Sequence, residues 1–368
     1  MLALTRDSSG ILYAGGWFTT AGVVPANYVA KWNAGAWSAI NVDNSVRTTV
    51  TALAVYGNNV YVGTSSGGVH KWDGTSWFAL GSALAYEIRA LAVDGTGTLY
   101  AAGIFNGVYK WDGVGWVRLG SGMNNNTVSL AVDGNNLYAG GQFTTAGGVP
   151  ENYVAKWNGT GWSSVGSGTN GNVECLASDG NGNVYAGGTF STAGGVGASR
   201  VARWDGTSWT PLGGGITGSD VSVDALTADR IGNLYVGGRY FSGSTWTEYV
   251  VKWGGTGWFV LAPGIPGPYS RVRALVIDGK GNLYAAGEFA SIGGMSANRI
   301  AKWNGSSWSA LGSGLNSEAR ALAADSNGYL YTGGAFDTAG GKPSAYFARW
   351  TLPPSNPTVN IYLPVMIR

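Results

Sequence analysis

Short apolar runs alternate with glycine-rich breaks along the whole chain, and the runs recur in a fixed order. The first is Ala-Leu-Ala-Val-like, as at residues 90–93. The second is Leu-Tyr-Ala-Gly-Gly-like, as at 137–141, and the third ends in a basic residue followed by Trp. The fourth begins with another Trp and runs into Leu-Gly-Ser-Gly, as at 308–314. Runs of this length bounded by Gly, Asn and Asp predict strands joined by tight turns. The third and fourth meet at Lys156-Trp157-Asn158-Gly159-Thr160-Gly161-Trp162, with copies at 71–77, 203–209 and 302–308. A two-residue loop at Gly159-Thr160 sets Asn158 opposite Gly161 and Trp157 opposite Trp162. Gly followed by Thr or Ser suits a type II′ hairpin turn, so the two indoles form a cross-strand pair.

The basic-Trp step marks the period. It falls at Trp32, Trp72, Trp111, Trp157, Trp204, Trp253, Trp303 and Trp350, giving eight units whose markers lie 39 to 50 residues apart. Four short strands per unit, repeated in series, predict an all-β fold: an eight-bladed β-propeller of four-stranded antiparallel blades over residues 1–350. Side-chain size agrees. Blades splay apart outward from the axis, so the small first strand suits the crowded centre and the Trp-bearing strands fill the wider periphery. The long connection from second to third strand is nearly identical in five units, is replaced by a variant around Tyr240, Phe241 and Trp246 in unit six, and is almost absent in units two and three. One face should therefore carry a raised rim with a gap at two neighbouring blades.

Unit eight lacks the Gly turn and the second Trp. A Pro-rich tail, 351–368, follows it. Val359–Leu363 is expected to pair as the missing outer strand, with Pro364 ending the pairing because it cannot donate a ladder hydrogen bond. Ring closure is then expected between units one and eight. The chain starts inside the first repeat, since aligning Tyr13 with Tyr100 puts Asp7 on Asp94 and Leu4 on Leu91. Met1 is not followed by a signal peptide, so the expected origin is a processed or truncated product.

Composition narrows the function classes. Gly accounts for 63 residues, Trp for 17 and Tyr for 19; charged residues are 11% and the net charge is +2. That balance offers no electrostatic footprint for nucleic acid, and no apolar run is long enough for membrane insertion. One Cys excludes an internal disulfide, and with one His there is no motif for a metal or other cofactor.

The candidate residues fall into repeated and non-repeated sets. Asp7, Asp94, Asp133, Asp179, Asp229, Asp278 and Asp325 end the first strand in seven units. Each loop supplies one carboxylate, where Ca²⁺ loops offer several, so turn capping is the reading. Lys or Arg precedes the third-strand Trp in every unit, from Lys31 and Lys71 to Arg349. It is expected to pack its stem and pair with the repeated Asp as a latch. His70 and Cys175 take positions that other units fill with Ala and read as strand residues. Asn125, Asn158 and Asn304 match the N-glycosylation pattern, but the last two lie in the hairpin turn and are explained by turn chemistry.

Symmetry does not require the remaining charges. Arg89, Glu174, Asp224, Arg273 and Arg320 precede the first strand, and Arg239 and Glu288 end the second. All are expected on the upper face around the channel mouth, with Glu174 and Asp224 the one acid pair suited to general acid/base work. Tyr28, Tyr153 and Tyr346 end three long loops and could stack on sugar faces; Arg200 and Arg299 replace them in two others.

Asp179-Gly180-Asn181-Gly182-Asn183-Val184-Tyr185 resembles the first hairpin of NHL-type propeller repeats. Gly187-Gly188 is similar to the strand ending of kelch-type repeats. Gly-Gly-x-Phe before a basic-Trp strand resembles secreted bacterial propeller repeats of unassigned activity, and Ile361-Tyr362-Leu363-Pro364 resembles the tails of secreted bacterial repeat proteins. The resemblance covers residues 1–350 and implies an extracellular or cell-surface protein. The functional expectation is a non-enzymatic binding or structural module with a protein or carbohydrate partner. The alternatives are a multivalent lectin and a glycan-active enzyme at the channel mouth.

Overall fold

The computed structural model describes residues 46–218, 220–241, 246–265 and 270–352, together with the backbone pairing of strands within 3–39 and at 364–365. Each of units two to seven forms a four-stranded antiparallel sheet whose strands follow chain order from the axis outward. Unit five is representative. Its strands are Val173–Ser178, Val184–Gly188, Val201–Trp204 and Trp209–Pro211. The second strand is wholly buried, as expected for a strand covered on both faces by neighbouring blades.

The ring has seven blades, not the eight expected. Seven inner strands pack in a closed circle, from Val50–Tyr56 of unit two round to Ala319–Ala324 of unit eight, and these two pack on each other. Val50, Val60, Val62 and Trp72 of unit two form one core with Tyr331 and Phe347 of unit eight. Trp77 meets Phe347 edge-on at 5.1 Å between centroids, and Asn327 Nδ2 donates to Asn58 Oδ1 at 3.0 Å. A Cβ on Gly333 would collide with Val50, as one on Gly140 would with Val173 at an internal seam. The closing seam thus has the same chemistry as the others. Unit one pairs its own four strands, Ala3–Arg6, Leu12–Gly15, Val29–Asn33 and Ala36–Ala39, but no place remains for it between units eight and two. Repeat similarity makes every unit able to pack on every other, so counting repeats does not say which two meet.

Unit eight takes its fourth strand from the tail. Pro364–Val365 pairs antiparallel with Phe347–Thr351, Trp350 opposite Pro364. Val359–Leu363, where this strand was expected, lies outside the described residues.

Two tryptophans face each other in units two to seven, with centroids 5.3–5.6 Å apart. The turn between them is held by the side chain that precedes it. Asn158 Oδ1 accepts the amides of Thr160 and Gly161, both at 3.0 Å, and Asp73, Asp112, Asp205 and Asn304 do the same. The second Trp also pins neighbouring blades together. Its indole N–H donates to a carbonyl of the preceding unit: Trp116 to Leu80, Trp162 to Leu119, Trp209 to Val165, Trp258 to Leu212 and Trp308 to Leu261, at 2.8–3.2 Å. Gly166, at φ 60°, passes so close to Trp204 and Trp209 that a side chain there would need the indoles to move.

On the lower face the repeated Asp organises its own turn. Asp278 Oδ1 accepts the amides of Lys280 and Asn282, while Oδ2 accepts the Tyr284 hydroxyl at 3.0 Å. Asp94 with Tyr100 and Asp325 with Tyr331 repeat this bond; burial and the Asp94 bond push the Tyr100 hydroxyl up to about 12. The base lies over a tyrosine ring: Lys156 over Tyr138, Lys252 over Tyr235 and Lys302 over Tyr284, at 5.4–6.0 Å. In unit seven, carboxylate and base are therefore joined through Tyr284, which touches both.

Candidate functional site

The upper end of every inner strand carries a register irregularity. Pairing with the second strand skips one residue in each blade: Thr51, Arg89, Val128, Glu174, Asp224, Arg273 and Arg320. A β-bulge leaves its extra residue out of the ladder and re-aims the side chain. All seven bulge residues line one cavity of about 520 Å³ at the channel mouth. Its wall also contains Ser129, Leu130, Cys175 and Leu226. Cys175 is buried, and burial pushes its thiol up.

Ion pairs divide the mouth. Arg89 Nε lies 3.2 Å from Glu87, and Glu87 reaches Arg320 at 3.8 Å. Arg320 also pairs with Glu318, Glu318 lies 3.4 Å from Arg273, and Arg273 Nε donates to Glu288 at 2.7 Å. This chain of alternating charges links the bulges of units three, eight and seven. A second group centres on Asp224, which lies 3.3 Å from Arg271 and 3.6 Å from Arg239 and accepts from the Ser222 hydroxyl at 3.2 Å. Burial pushes the Glu318 carboxyl up, but Arg320 and Arg273 outweigh it and hold the group below the usual range.

Glu174 belongs to neither group. Among the described residues it makes no ion pair, and burial raises its carboxyl above the usual glutamate range, with Asp224 adding to the rise and a hydrogen bond with the Asn172 side chain, Arg271 and Arg89 opposing it. Glu248, on the third strand of unit six opposite Arg239, is 2% exposed. Its Oε2 has no hydrogen-bond partner, and burial pushes it up to about 7.

The structure thus brings together Arg89, Glu174, Asp224, Arg239, Arg273, Glu288 and Arg320, the seven charges expected at the mouth. Sequence reasoning missed Glu87, Arg271, Glu318 and Glu248. The first three stand two residues before a bulge arginine, a spacing that puts side chains on one face of a strand and was legible. Glu248 had no such signal, because the hairpin extension that buries it is peculiar to unit six.

The loop-end tyrosines sit elsewhere. Tyr153 and Tyr346 adopt left-handed backbone, φ 66° and 64°, as do Arg200 and Arg299 at 69° and 65°. Each has both backbone groups bonded, as where Tyr153 N donates to Phe143 O and its carbonyl accepts from Gly141 N. Such conformations persist for non-glycine residues only where the surroundings hold them. Tyr153 packs on the core shared with unit five and Tyr346 on the closing seam, both half-buried. Arg200 donates to the carbonyls of Val221 and Phe190. These residues close the loop bases and cover seams between blades. Tyr28 lies outside the described residues.

The long loops form miniature two-stranded sheets in units four, five, seven and eight, such as Thr145–Ala146 with Val149–Pro150. In unit six the second and third strands extend instead to Phe241 and Trp246, and Arg239 stacks on Trp246 at 4.7 Å. Units two and three carry neither, which leaves the rim open there.

No protein-family model matches the chain, and no curated protein matches it. Solved structures do. The computationally designed Ika8 protein is 19% identical, with a TM-score of 0.55 over 83% of this chain and 85% of that one. The WD40 β-propeller domain of Doa1 is 16% identical, with a TM-score of 0.55 over 78% and 90%. The GH74 xyloglucanase from Xanthomonas campestris is 18% identical, with a TM-score of 0.58 over 83% of this chain and 52% of that one. The extracellular domain of BT4673, a putative one component system from B. thetaiotaomicron, is 12% identical, with a TM-score of 0.56 over 78% and 37%. At these identities the likeness establishes the β-propeller fold alone. Among the described residues no helix is long and apolar enough to cross a membrane.

Proposed function

We propose that the chain is a binding module, extracellular in placement, whose ligand site is the upper mouth of the seven-bladed channel. The observation that carries this reading is the ring of bulges. Seven re-aimed side chains converge on one cavity, and five of them are charged. Strand pairing and blade packing do not require charge there, whereas recognition of a polar ligand does. The cavity suits a small molecule or a protruding side chain. The open rim at units two and three gives the approach.

Val128 is the one aliphatic residue among the bulges, and replacing it with arginine would project a bulky cation into the cavity. Isothermal titration of a panel of amino acids, amines, carboxylates and oligosaccharides compares wild type with Val128→Arg. Ligands of the mouth should bind the variant at least about tenfold more weakly. A ligand bound equally by both proteins sits elsewhere, and if all behave so the mouth is not the site.

Hydrolysis of glycosidic bonds at the same mouth is a second reading. It is supported by Glu174 and Asp224, carboxyls from neighbouring blades in unlike environments, one unpaired and raised, the other beside two arginines. Release of reducing ends from oligosaccharides, lost in Asp224→Asn, would support it over simple binding.

A further inference from the structure

The charge pattern of the mouth is incomplete at one place. The ion-paired chain runs from Arg89 through Glu87, Arg320, Glu318 and Arg273 to Glu288, and the second group joins Arg239 and Arg271 to Asp224. Glu174 faces the same cavity from unit five with no ion pair among the described residues, only a hydrogen bond with the Asn172 side chain and the weaker pull of Arg271 and Arg89, and its neighbour in unit four is Val128. Glu174, Glu87 and Asp224 are the acids of the cavity wall, and Glu174 alone of the three has no ion pair among the described residues. An ionised carboxylate is costly to hold away from water unless a counter-charge stands next to it. Here no cation forms an ion pair with the group among the described residues, while a cavity adjoins it. A metal ion would need further ligands, and no cluster of metal-ligating side chains occurs among the described residues.

We propose that Glu174 receives an alkylammonium group, the ammonium supplying the missing counter-charge and its aliphatic stem lying against Val128 and Leu130. This rests on the mouth being the ligand site. The arginines keep their own carboxylates and set the selectivity. They repel a second positive charge on the far side of the cavity, so a monocation is preferred to a dication of the same length. The group can belong to a free amine or to a lysine side chain of a polypeptide.

The test is calorimetric titration at pH 8 with n-butylammonium chloride, with sodium butyrate as the oppositely charged control. Wild type should bind n-butylammonium and not butyrate. Glu174→Gln, which keeps the shape and removes the charge, should weaken binding at least about tenfold, while Val114→Ser, on an exposed hairpin turn outside the cavity wall, should retain it. Binding by wild type should also weaken as pH falls into the raised titration range of Glu174, and the residual binding of Glu174→Gln should not. Thermal unfolding of Glu174→Gln checks its fold, with Glu174→Asp as a second variant that should keep part of the affinity. Equal binding by wild type and Glu174→Gln overturns the proposal. So does binding of butyrate in place of n-butylammonium. Should other ligands bind wild type and fail with Val128→Arg while n-butylammonium does not bind, the ammonium assignment falls and the mouth stands. Should Val128→Arg bind every ligand like wild type, the mouth itself falls. Tighter binding of Nα-acetyl-lysine N-methylamide than of n-butylammonium assigns the group to a polypeptide side chain, and the reverse order to a free amine.

Discussion

Trp162→Ala removes a side chain that serves two blades at once. The indole is 8% exposed, and its centroid lies 5.4 Å from that of Trp157 across the hairpin. Its N–H donates to Leu119 O of the preceding blade at 3.2 Å, and the backbone at Gly120 and Gly147 packs against its ring. Truncating a buried aromatic of this size costs about 3–5 kcal/mol. Trp157 is only half-buried, so truncating it removes less buried surface. Trp157→Ala should cost about 1–3 kcal/mol. Trp162→Phe keeps much of the apolar contact but strands the Leu119 carbonyl, a loss of about 1–3 kcal/mol. Urea unfolding followed by far-ultraviolet circular dichroism reads these costs from the shift in midpoint at unchanged m. Equal costs for the two alanine variants, or less than about 1 kcal/mol for Trp162→Ala, would refute the account of the second Trp as the pin between blades.

Beyond the ligand-site variants already described, two stability experiments test the fold. Glu248 has its carboxyl raised to about 7 by burial, with Asp224 adding and Arg239 and Arg271 opposing. The folded chain therefore holds a proton there that the unfolded chain releases near the ordinary value, and stability should fall as pH rises from about 4.5 to about 7, by up to about 3 kcal/mol. Glu248→Gln should flatten that slope and be the more stable protein at pH 8; an unchanged slope rejects the assignment. Gly333→Val drives a side chain into Val50 across the closing seam, and Gly140→Val does the same to Val173 at an internal one. Overpacking of either seam should cost about 1–3 kcal/mol, and a cost at Gly140 without one at Gly333 would mean that units eight and two do not meet as described.

The blade was legible in the sequence because its determinants are local. A two-residue turn fixes Trp157 opposite Trp162, and period-two alternation fixes which faces are buried. The blade number was not, because it depends on a contact between Val50 and Tyr331, far apart in the chain, that any two units of such similar sequence can make. The tyrosine that joins the base to the repeated Asp was not foreseen: Tyr284, on the second strand, touches both Asp278 and Lys302, and the sequence reading paired the two charges without the strand between them. The loop-end tyrosines were found by their place in the repeat, but the left-handed backbone that sets Tyr153 and Tyr346 against the seams was not legible, because it depends on the loop base closing on itself.

The site is where the repeat loosens its hold on sequence. Within an inner strand, the residues on either side of a bulge face the neighbouring blade, and in unit five these are the buried Val173 and Cys175. Their volumes are limited by the close approach of the preceding blade's second strand, as where Gly140 faces Val173, so they stay small and uncharged. The skipped residue meets no such limit, because it opens onto the channel. That freedom explains why equivalent positions hold Thr51, Arg89, Val128, Glu174, Asp224, Arg273 and Arg320 while their flanks barely change. It also explains why the five repeat-breaking charges at the bulges face one space. A ring used for scaffolding alone would have no need of unlike charges at equivalent positions, since uniform small polar residues satisfy the same bulges without half-burying a carboxylate such as Glu174. The unlike charges have a physical purpose if they form a pattern with direction, carboxyl on one side and paired guanidinium groups on the other. Such a pattern can orient a single polar ligand in an otherwise near-symmetric channel.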